Sequence, residues 1–172
     1  ILTRLVGSEM CIRDRIGLYK AVVDSLIEET EKTKAGSPQR KGAVLAAITA
    51  LKQICNLPLN YQDDGLGIEG RSGKLERLYE IMETVFAADE RVLVFTHFAT
   101  WGERLATHLT ERYELPIHCY HGGLGRSARD QMVDSFQKGK GRGAMVLSLK
   151  AGGTGLNLSL IHISEPTRRV RI

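Results

Sequence analysis

The chain has 172 residues, of which 42% are hydrophobic and 26% are charged, and this composition suits a single globular domain with a hydrophobic core. No apolar run approaches the length of a membrane span, and no N-terminal charged-then-apolar pattern indicates a signal peptide. The three cysteines are odd in number and lack metal-ligand spacing, which favours a reduced, cytoplasmic setting. The net charge of +4 suggests an anionic partner.

Both ends of the chain are predicted to be foreign to the domain. Residues 5–14 and 158–168 can be encoded by one DNA string read on opposite strands, and that string resembles a sequencing-library adaptor. We therefore expect residues 1–15 and 158–172 to be translated adaptor. These ends carry net charges of +1 and +2, which leaves +1 of the +4 for residues 16–157, so the overall charge does not argue for nucleic acid.

Residues 16–72 are predicted to form a helical segment and a connector. Apolar residues recur at helical spacing from Ile16 to about Thr33 and again over residues 41–55. The apolar face of the second helix consists of Val44, Leu45, Ile48, Leu51 and Ile54. A polar, glycine-rich connector follows over residues 59–72, and Ser72 is predicted to cap a third helix. The apolar face of that helix consists of Leu75, Leu78, Met82, Val85 and Phe86.

Residues 73–157 are predicted to form one α/β lobe with a parallel sheet and flanking helices. Residues 91–96 are a short, continuously apolar run, typical of a buried parallel strand, and residues 116–120 and 144–148 are two further strands. Two helices alternate with them, the second capped by Ser127. Their apolar residues are Trp101, Leu105 and Leu109 in the first helix and Met132, Val133 and Phe136 in the second. This alternation of strands and helices predicts parallel pairing.

Polar and glycine residues follow each predicted strand. These groups are Thr96 with His97, His121 with Gly122 and Gly123, and residues 148–157. The carboxyl ends of parallel strands meet at one edge of a sheet, and ligands bind there. We therefore expect the three groups to gather. For the glycine-rich turn over residues 152–155 taken alone, a purely structural turn remains an equal alternative.

Five sequence blocks in chain order carry a specific resemblance to a known family. They are residues 51–56, 72–75, 92–98, 121–123 with Arg129 and Phe136, and 147–157. Together they resemble the second motor lobe of Swi/Snf-type ATPases of helicase superfamily two, in the bacterial style, across essentially all of residues 16–157. The resemblance implies a RecA-like lobe that works with an upstream RecA-like lobe of the same protein. ATP then lies in the cleft between the lobes, and double-stranded DNA lies across both.

The resemblance also implies roles for individual residues. The expected DNA-binding residues are Thr96, His97, Gly122, Gly123, Ser148 and Lys150. The expected residues of the nucleotide cleft are Gly152, Gly153, Gly155 and Asn157. Backbone N–H groups, hydroxyls and a lysine suit a motor, because they bind phosphate without selecting a base sequence.

Parts of the family's ATPase machinery are missing from the sequence. It contains no Gly-x-x-x-x-Gly-Lys-Ser/Thr loop, no motif in it matches the family's magnesium-binding Asp-Glu motif, and the arginine-rich motif expected after Asn157 is replaced by the adaptor-like tail. The resemblance thus implies that ATP and Mg²⁺ bind the intact two-lobed protein, a DNA-dependent ATPase. This fragment alone is expected to bind neither, to hold no catalytic residue and to be inactive. A cytoplasmic, nucleoid-associated location is expected, with no membrane contact.

The sequence also bears on three alternatives to a DNA motor or to a simple core role for single residues. A stand-alone nucleotide- or phosphate-binding Rossmann-like module stays open, although it needs a Gly-x-Gly-x-x-Gly turn after its first strand and no glycine follows Phe95 before Gly102. A metal site is not predicted, because no histidine has a cysteine or carboxylate at ligand spacing. Cys55 and Cys119 are predicted to be core thiols.

Overall fold

The computed structural model describes residues 2–62, 65 and 67–152 of the chain. It divides into two compact units, residues 1–76 and 77–172, which we call the helical unit and the sheet unit. No helix within the described ranges is long and apolar enough to cross a membrane.

Two helices form most of the helical unit. They are α1 (Leu2–Lys32) and α2 (Pro38–Asn56), and a short 3-10 turn (Pro58–Asn60) follows. Ser37 fixes the start of α2, because its hydroxyl accepts a hydrogen bond from the Arg40 N–H at 3.3 Å. Pro38 takes the first helical position, where no N–H is needed. The sequence thus defines the beginning of α2 by a standard cap.

The helix α1 is longer than predicted. It begins at Leu2, whereas the sequence pattern predicted a start at Ile16, and its end at Lys32 agrees with the prediction. Residues 2–15 contain one glycine and no proline, so no strong helix breaker separates them from the rest of α1. The interpretation of residues 1–15 as translated adaptor rests on their coding sequence and stays a prediction.

The buried side of α2 agrees with the prediction only in part. Val44, Leu45 and Ile48 were predicted to face the core but are exposed, Leu45 to 66%. Ile54 is buried as predicted, and it packs with Ala47 against Val22 of α1. Partly buried apolar side chains surround this cluster, namely Leu18, Leu26, Ala50 and Leu51. The buried face is thus rotated about the helix axis from the predicted one, so that it keeps Leu51 and Ile54 and takes in the two alanines.

A buried polar cluster connects α2 to the start of the next helix. Asn56 and Ser72 are both buried, and the Ser72 hydroxyl donates a hydrogen bond to the Asn56 carbonyl at 3.0 Å. Lys74 Nζ donates to Oδ1 of the same asparagine at 3.2 Å. Ser72 immediately precedes the helix, as predicted, but the hydrogen bond recorded for its hydroxyl ties the connector to α2.

The sheet unit alternates helices and strands. In chain order the elements are α3 (Gly73–Ala87, which begins in the helical unit), β1 (Arg91–Thr96), α4 (Ala99–Tyr113), β2 (His118–Tyr120), α5 (Arg126–Lys138), β3 (Gly143–Ser148) and α6 (Leu149–Gly152). All pairings are parallel and the strand order is β1-β3-β2, so β3 is central. The predicted α/β fold with a parallel sheet is confirmed, and each predicted strand agrees within two residues.

One face of the sheet packs against α4. Trp101, Leu105 and Leu109 are buried on this helix, as their spacing predicted. Gly102 allows the close approach, because a Cβ there would lie 2.7 Å from Cys119 Sγ and 2.9 Å from Thr96 Cγ2. Only a residue without a side chain fits at this position unless the sheet or the helix shifts.

The other face of the sheet packs against α5. The buried cluster on this side consists of Tyr120, Met145, Leu147 and Ala151. Val133 and Phe136 of α5 pack on it but stay partly exposed, and α5 has no fully buried residue. Gly125 is the N-cap of α5, so the predicted cap at Ser127 was wrong: the extended backbone of Gly125 places Ser127 in the first helical turn.

Candidate functional site

The three predicted groups gather at one edge of the sheet, as the parallel topology requires. Thr96 pairs with Ser148 across β1 and β3, and Tyr120 pairs with Leu147 across β2 and β3. The segments that follow these strand ends are residues 97–98, 121–125 and 149–152. We call these segments together with Thr96 and Ser148 the carboxyl edge.

Two residues of the carboxyl edge are buried. Thr96 is 0% exposed and Ser148 is 3% exposed. The Thr96 hydroxyl has no hydrogen-bond partner among the residues that the structure describes. In this arrangement both side chains are buried and not at the surface of the carboxyl edge. Their predicted contact with phosphate stays a prediction.

The other four predicted DNA-binding residues are exposed. His97, Gly122, Gly123 and Lys150 all lie at the surface of the carboxyl edge. The His97 ring packs edge-on against Phe98, with 4.9 Å between the ring centroids. The edge therefore presents one ammonium group, one imidazole and a glycine turn to the solvent.

A hydrogen-bonded turn follows β2. The Leu124 N–H donates to the His121 carbonyl at 3.3 Å, which closes a β-turn through Gly122 and Gly123. The imidazole of His121 is 13% exposed and contacts this turn, because the Gly123 N–H donates to its Nδ1 at 3.3 Å. On its other side, Nε2 lies 2.8 Å from Oε1 of Glu103 on α4.

Sequence reasoning missed Glu103 as part of this edge. It lies in the second turn of α4 and is exposed, and it meets His121 because α4 packs on the sheet. No local sequence signal pairs two residues that are so far apart in the chain. The pairing becomes visible only when the helix and the strand end are placed together.

A buried thiol lies behind the edge. Burial, together with a smaller effect of the Glu103 carboxylate, raises the pKa of Cys119 from 9.0 to about 11. Cys119 is thus a protonated core thiol at neutral pH, as predicted. Cys55, by contrast, is exposed, so its predicted burial was wrong.

The glycine-rich segment after β3 is only partly described. Residues 149–152 form the single helical turn α6, where the sequence had suggested an open loop. Gly152 ends this turn, and Gly153, Gly155 and Asn157 lie outside the described residues. The predicted nucleotide cleft therefore stays a prediction.

The histidines do not assemble a metal centre in the described part of the chain, where no three metal-ligating side chains come together. His108, for example, bonds through Nε2 to the Tyr79 hydroxyl at 2.7 Å. Gly102, the first glycine after β1, lies within α4 and is buried against the sheet, so it forms no phosphate-binding turn of the Rossmann kind.

Comparison with known proteins agrees with this geometry. The helicase conserved C-terminal domain matches residues 73–167. A Bacillus subtilis protein, named as a candidate ATP-dependent helicase/translocase, is 35% identical over 148 residues, which are 85% of this chain and 16% of that protein. An uncharacterised ATP-dependent helicase of Mycoplasma pneumoniae is 26% identical over 85% of this chain and 13% of its own length. The matched part of the chain thus spans only 16% and 13% of the lengths of these two relatives.

Two solved structures from Sulfolobus solfataricus share the fold. The C-terminal domain of a SWI2/SNF2 ATPase superposes with a TM-score of 0.76 at 29% identity, over 86% of this chain and 63% of that one. The SWI2/SNF2 ATPase core in complex with double-stranded DNA superposes with a TM-score of 0.70 at 27% identity, over 78% of this chain and 28% of that one. The parallel sheet, its flanking helices and these matches place the chain in the helicase conserved C-terminal domain family, as a RecA-like lobe of the Swi/Snf type.

Proposed function

We propose that this lobe is part of an ATP-dependent motor on double-stranded DNA and that its carboxyl edge lies against the DNA backbone. The observation that carries the proposal is the convergence of His97, Gly122, Gly123 and Lys150 at one exposed edge. A solved relative, the Sulfolobus SWI2/SNF2 core, is in complex with double-stranded DNA. These four residues are of the kinds that contact phosphate.

The proposed contacts select backbone and not sequence. The turn at Gly122 and Gly123 has no Cβ atoms to hold a phosphate away, so its backbone can approach closely. Lys150 adds one positive charge, which releases a counterion when it neutralises a phosphate. Thr96 and Ser148, which pair at the ends of β1 and β3, are both buried. Such an edge binds each successive step of a duplex equally well.

ATP enters the proposal through the intact protein. We propose that Gly152, Gly153, Gly155 and Asn157 face a nucleotide cleft, which an upstream RecA-like lobe of the same protein completes with Mg²⁺. The absence of a Gly-x-x-x-x-Gly-Lys-Ser/Thr loop from the sequence supports this division of labour. The 172-residue chain is then expected to show no DNA-stimulated ATP hydrolysis, and measurable turnover by the purified chain would contradict this part.

The DNA contact can be tested with two exposed lysines at opposite ends of β3. Lys150 follows the strand at the carboxyl edge, and Lys140 lies in the loop before the strand. Fluorescence anisotropy with a labelled duplex, over a series of salt concentrations, measures the affinity and its salt dependence. Lys150→Ala is expected to lower the log–log salt slope by about 1, and Lys140→Ala to leave it unchanged.

Comparison of the two lysine variants distinguishes DNA contact at the carboxyl edge from nonspecific electrostatic attraction. Both substitutions remove one positive charge, so a nonspecific electrostatic effect would weaken binding equally. Equal slopes for the two variants would overturn the assignment of the carboxyl edge. Loss of slope in Lys140→Ala alone would place the DNA at the opposite edge of the sheet.

A further inference from the structure

The His121 imidazole is held by hydrogen bonds on both of its nitrogens. Nδ1 accepts from the Gly123 N–H at 3.3 Å, so it carries no proton in this arrangement. The neutral ring then has its proton on Nε2, which lies 2.8 Å from Oε1 of Glu103. The two contacts therefore define one tautomer, with Nε2–H as the donor to the carboxylate.

Steric contact couples the same ring to the turn. A Cβ added to Gly123 would lie 3.2 Å from both Cε1 and Nδ1 of His121. Gly122, by comparison, has open space around its Cβ position. Neither glycine has a positive φ, so close approach of the ring, and not backbone conformation, explains the glycine at position 123.

We propose that His121 is a positioning residue, which Glu103 orients and which fixes the Gly122–Gly123 turn for contact with the DNA backbone. This inference rests on the proposed function, because it assigns a task to the same edge. Glu103 belongs to α4, which packs on the sheet. The imidazole therefore connects the turn to a helix of the core. His121 itself is not required to contact DNA.

Two substitutions of His121 separate its two hydrogen bonds. In His121→Asn the amide oxygen can still accept from the Gly123 N–H, as in an Asx-turn, but the side chain is too short for Glu103. In His121→Gln the longer amide can donate to Glu103 but leaves Gly123 N–H without its acceptor. The Asn variant is expected to bind duplex DNA within about twofold of wild type, and the Gln variant up to tenfold more weakly, which is the scale of one hydrogen bond.

Nuclear magnetic resonance of the full chain provides a readout that a merely structural role would not move. We expect the His121 ring to show an unprotonated Nδ1 and a protonated Nε2. The Gly123 amide resonance should stay near its wild-type position in His121→Asn and shift in His121→Gln. An Nδ1–H tautomer, or a Gly123 amide that is unchanged in the Gln variant, would overturn the proposal.

Glu103→Ala tests the orienting partner with little risk to folding, because Glu103 is exposed on a helix. Removing a negative charge alone would strengthen DNA binding. We expect weaker binding, about threefold, because the imidazole loses its orientation. Glu111→Ala is the matched control: it removes the same charge from an exposed position of the same helix and should not weaken binding.

The outcomes distinguish this inference from the proposed function. If Lys150→Ala weakens binding while His121→Gln and Glu103→Ala do not, the positioning role is wrong and the DNA-binding edge stands. If the wild-type chain shows no binding to the duplex, the proposed function fails and the positioning role fails with it.

Discussion

The two units of the chain bury their apolar residues in different ways. In the sheet unit, β3 is paired on both sides and covered by helices on both faces, so its residues from Ala144 to Ser148 are all buried. In the helical unit, α1 and α2 share one narrow interface built around Val22, Ala47 and Ile54. Large apolar side chains elsewhere on α2 stay exposed. The carboxyl edge is thus built on the more completely buried unit, which suits a site that must hold its geometry.

The largest expected difference between the units comes from deleting leucine side chains. Leu147 is fully buried, so Leu147→Ala should lower the free energy of unfolding by about 2–5 kcal/mol. Leu45→Ala in the helical unit should change it by less than about 0.5 kcal/mol, because that side chain is exposed. Urea denaturation followed by fluorescence measures the first effect directly, since the single tryptophan, Trp101, is buried in the sheet unit.

Circular dichroism serves as the second probe for the leucine pair, because it also reports α1 and α2. Equal losses of stability for the two variants would mean that the helical unit buries Leu45, contrary to the comparison. A larger loss of stability in Leu45→Ala than in Leu147→Ala would mean that the helical unit, and not the sheet unit, is the more completely buried one.

A smaller contrast is expected from two helical glycines. Gly102→Ala should cost about 1–3 kcal/mol, because the added Cβ would collide with Cys119 and Thr96 at the packed face of α4. Gly42 lies in α2 with open space around its Cβ position, so Gly42→Ala should stabilise the chain by up to about 1 kcal/mol through helix propensity. Thermal unfolding of both variants shows whether each substitution raises or lowers the stability. A Gly102→Ala variant as stable as wild type would show that α4 packs loosely on the sheet.

The smallest expected contrast between the two units is in the reactivity of their cysteine thiols. The raised pKa of Cys119, about 11, leaves roughly a hundredfold less thiolate at any pH below 9 than a thiol with the usual value of 9.0. Cys55 is exposed in the helical unit. Iodoacetamide at pH 8, followed by peptide mapping, should therefore modify Cys55 well before Cys119. The Cys119 rate should keep rising with pH toward 11, and native-state labelling of both thiols at one rate would contradict its burial.

Sequence patterns predicted the sheet unit well for physical reasons. Residues 92–95 of β1 form a continuous apolar run, in which Val94 is buried and the other three side chains are half-buried. A run of this kind leaves few alternatives to a parallel strand packed against other elements. The meeting of Thr96 and Ser148 at one edge follows from parallel pairing alone. The spacing of Trp101, Leu105 and Leu109 on α4 marked a face that the structure buries.

The features that sequence patterns did not predict depend on contacts between distant segments. The buried face of α2 includes Ala47 and Ala50 beside Leu51 and Ile54, because these are the residues that face α1, and the pattern along α2 alone does not locate α1. The burial of the Thr96 hydroxyl depends on α4 lying over it. The contact between Glu103 and His121 likewise exists only once the helix has packed on the sheet. The hydrophobic periodicity of a single segment carries no information on contacts between distant segments.

The most direct test of the account is a map of the duplex on the chain. A short duplex of arbitrary sequence is added to the ¹⁵N-labelled 172-residue protein, and the amide shifts are followed. We predict that the largest changes occur at His97, Gly122, Gly123 and Lys150. The loop before β3 around Lys140 and the helices α1 and α2 should change little. Changes centred on that loop or on the helical unit, with an unperturbed carboxyl edge, would show that this edge does not face the DNA.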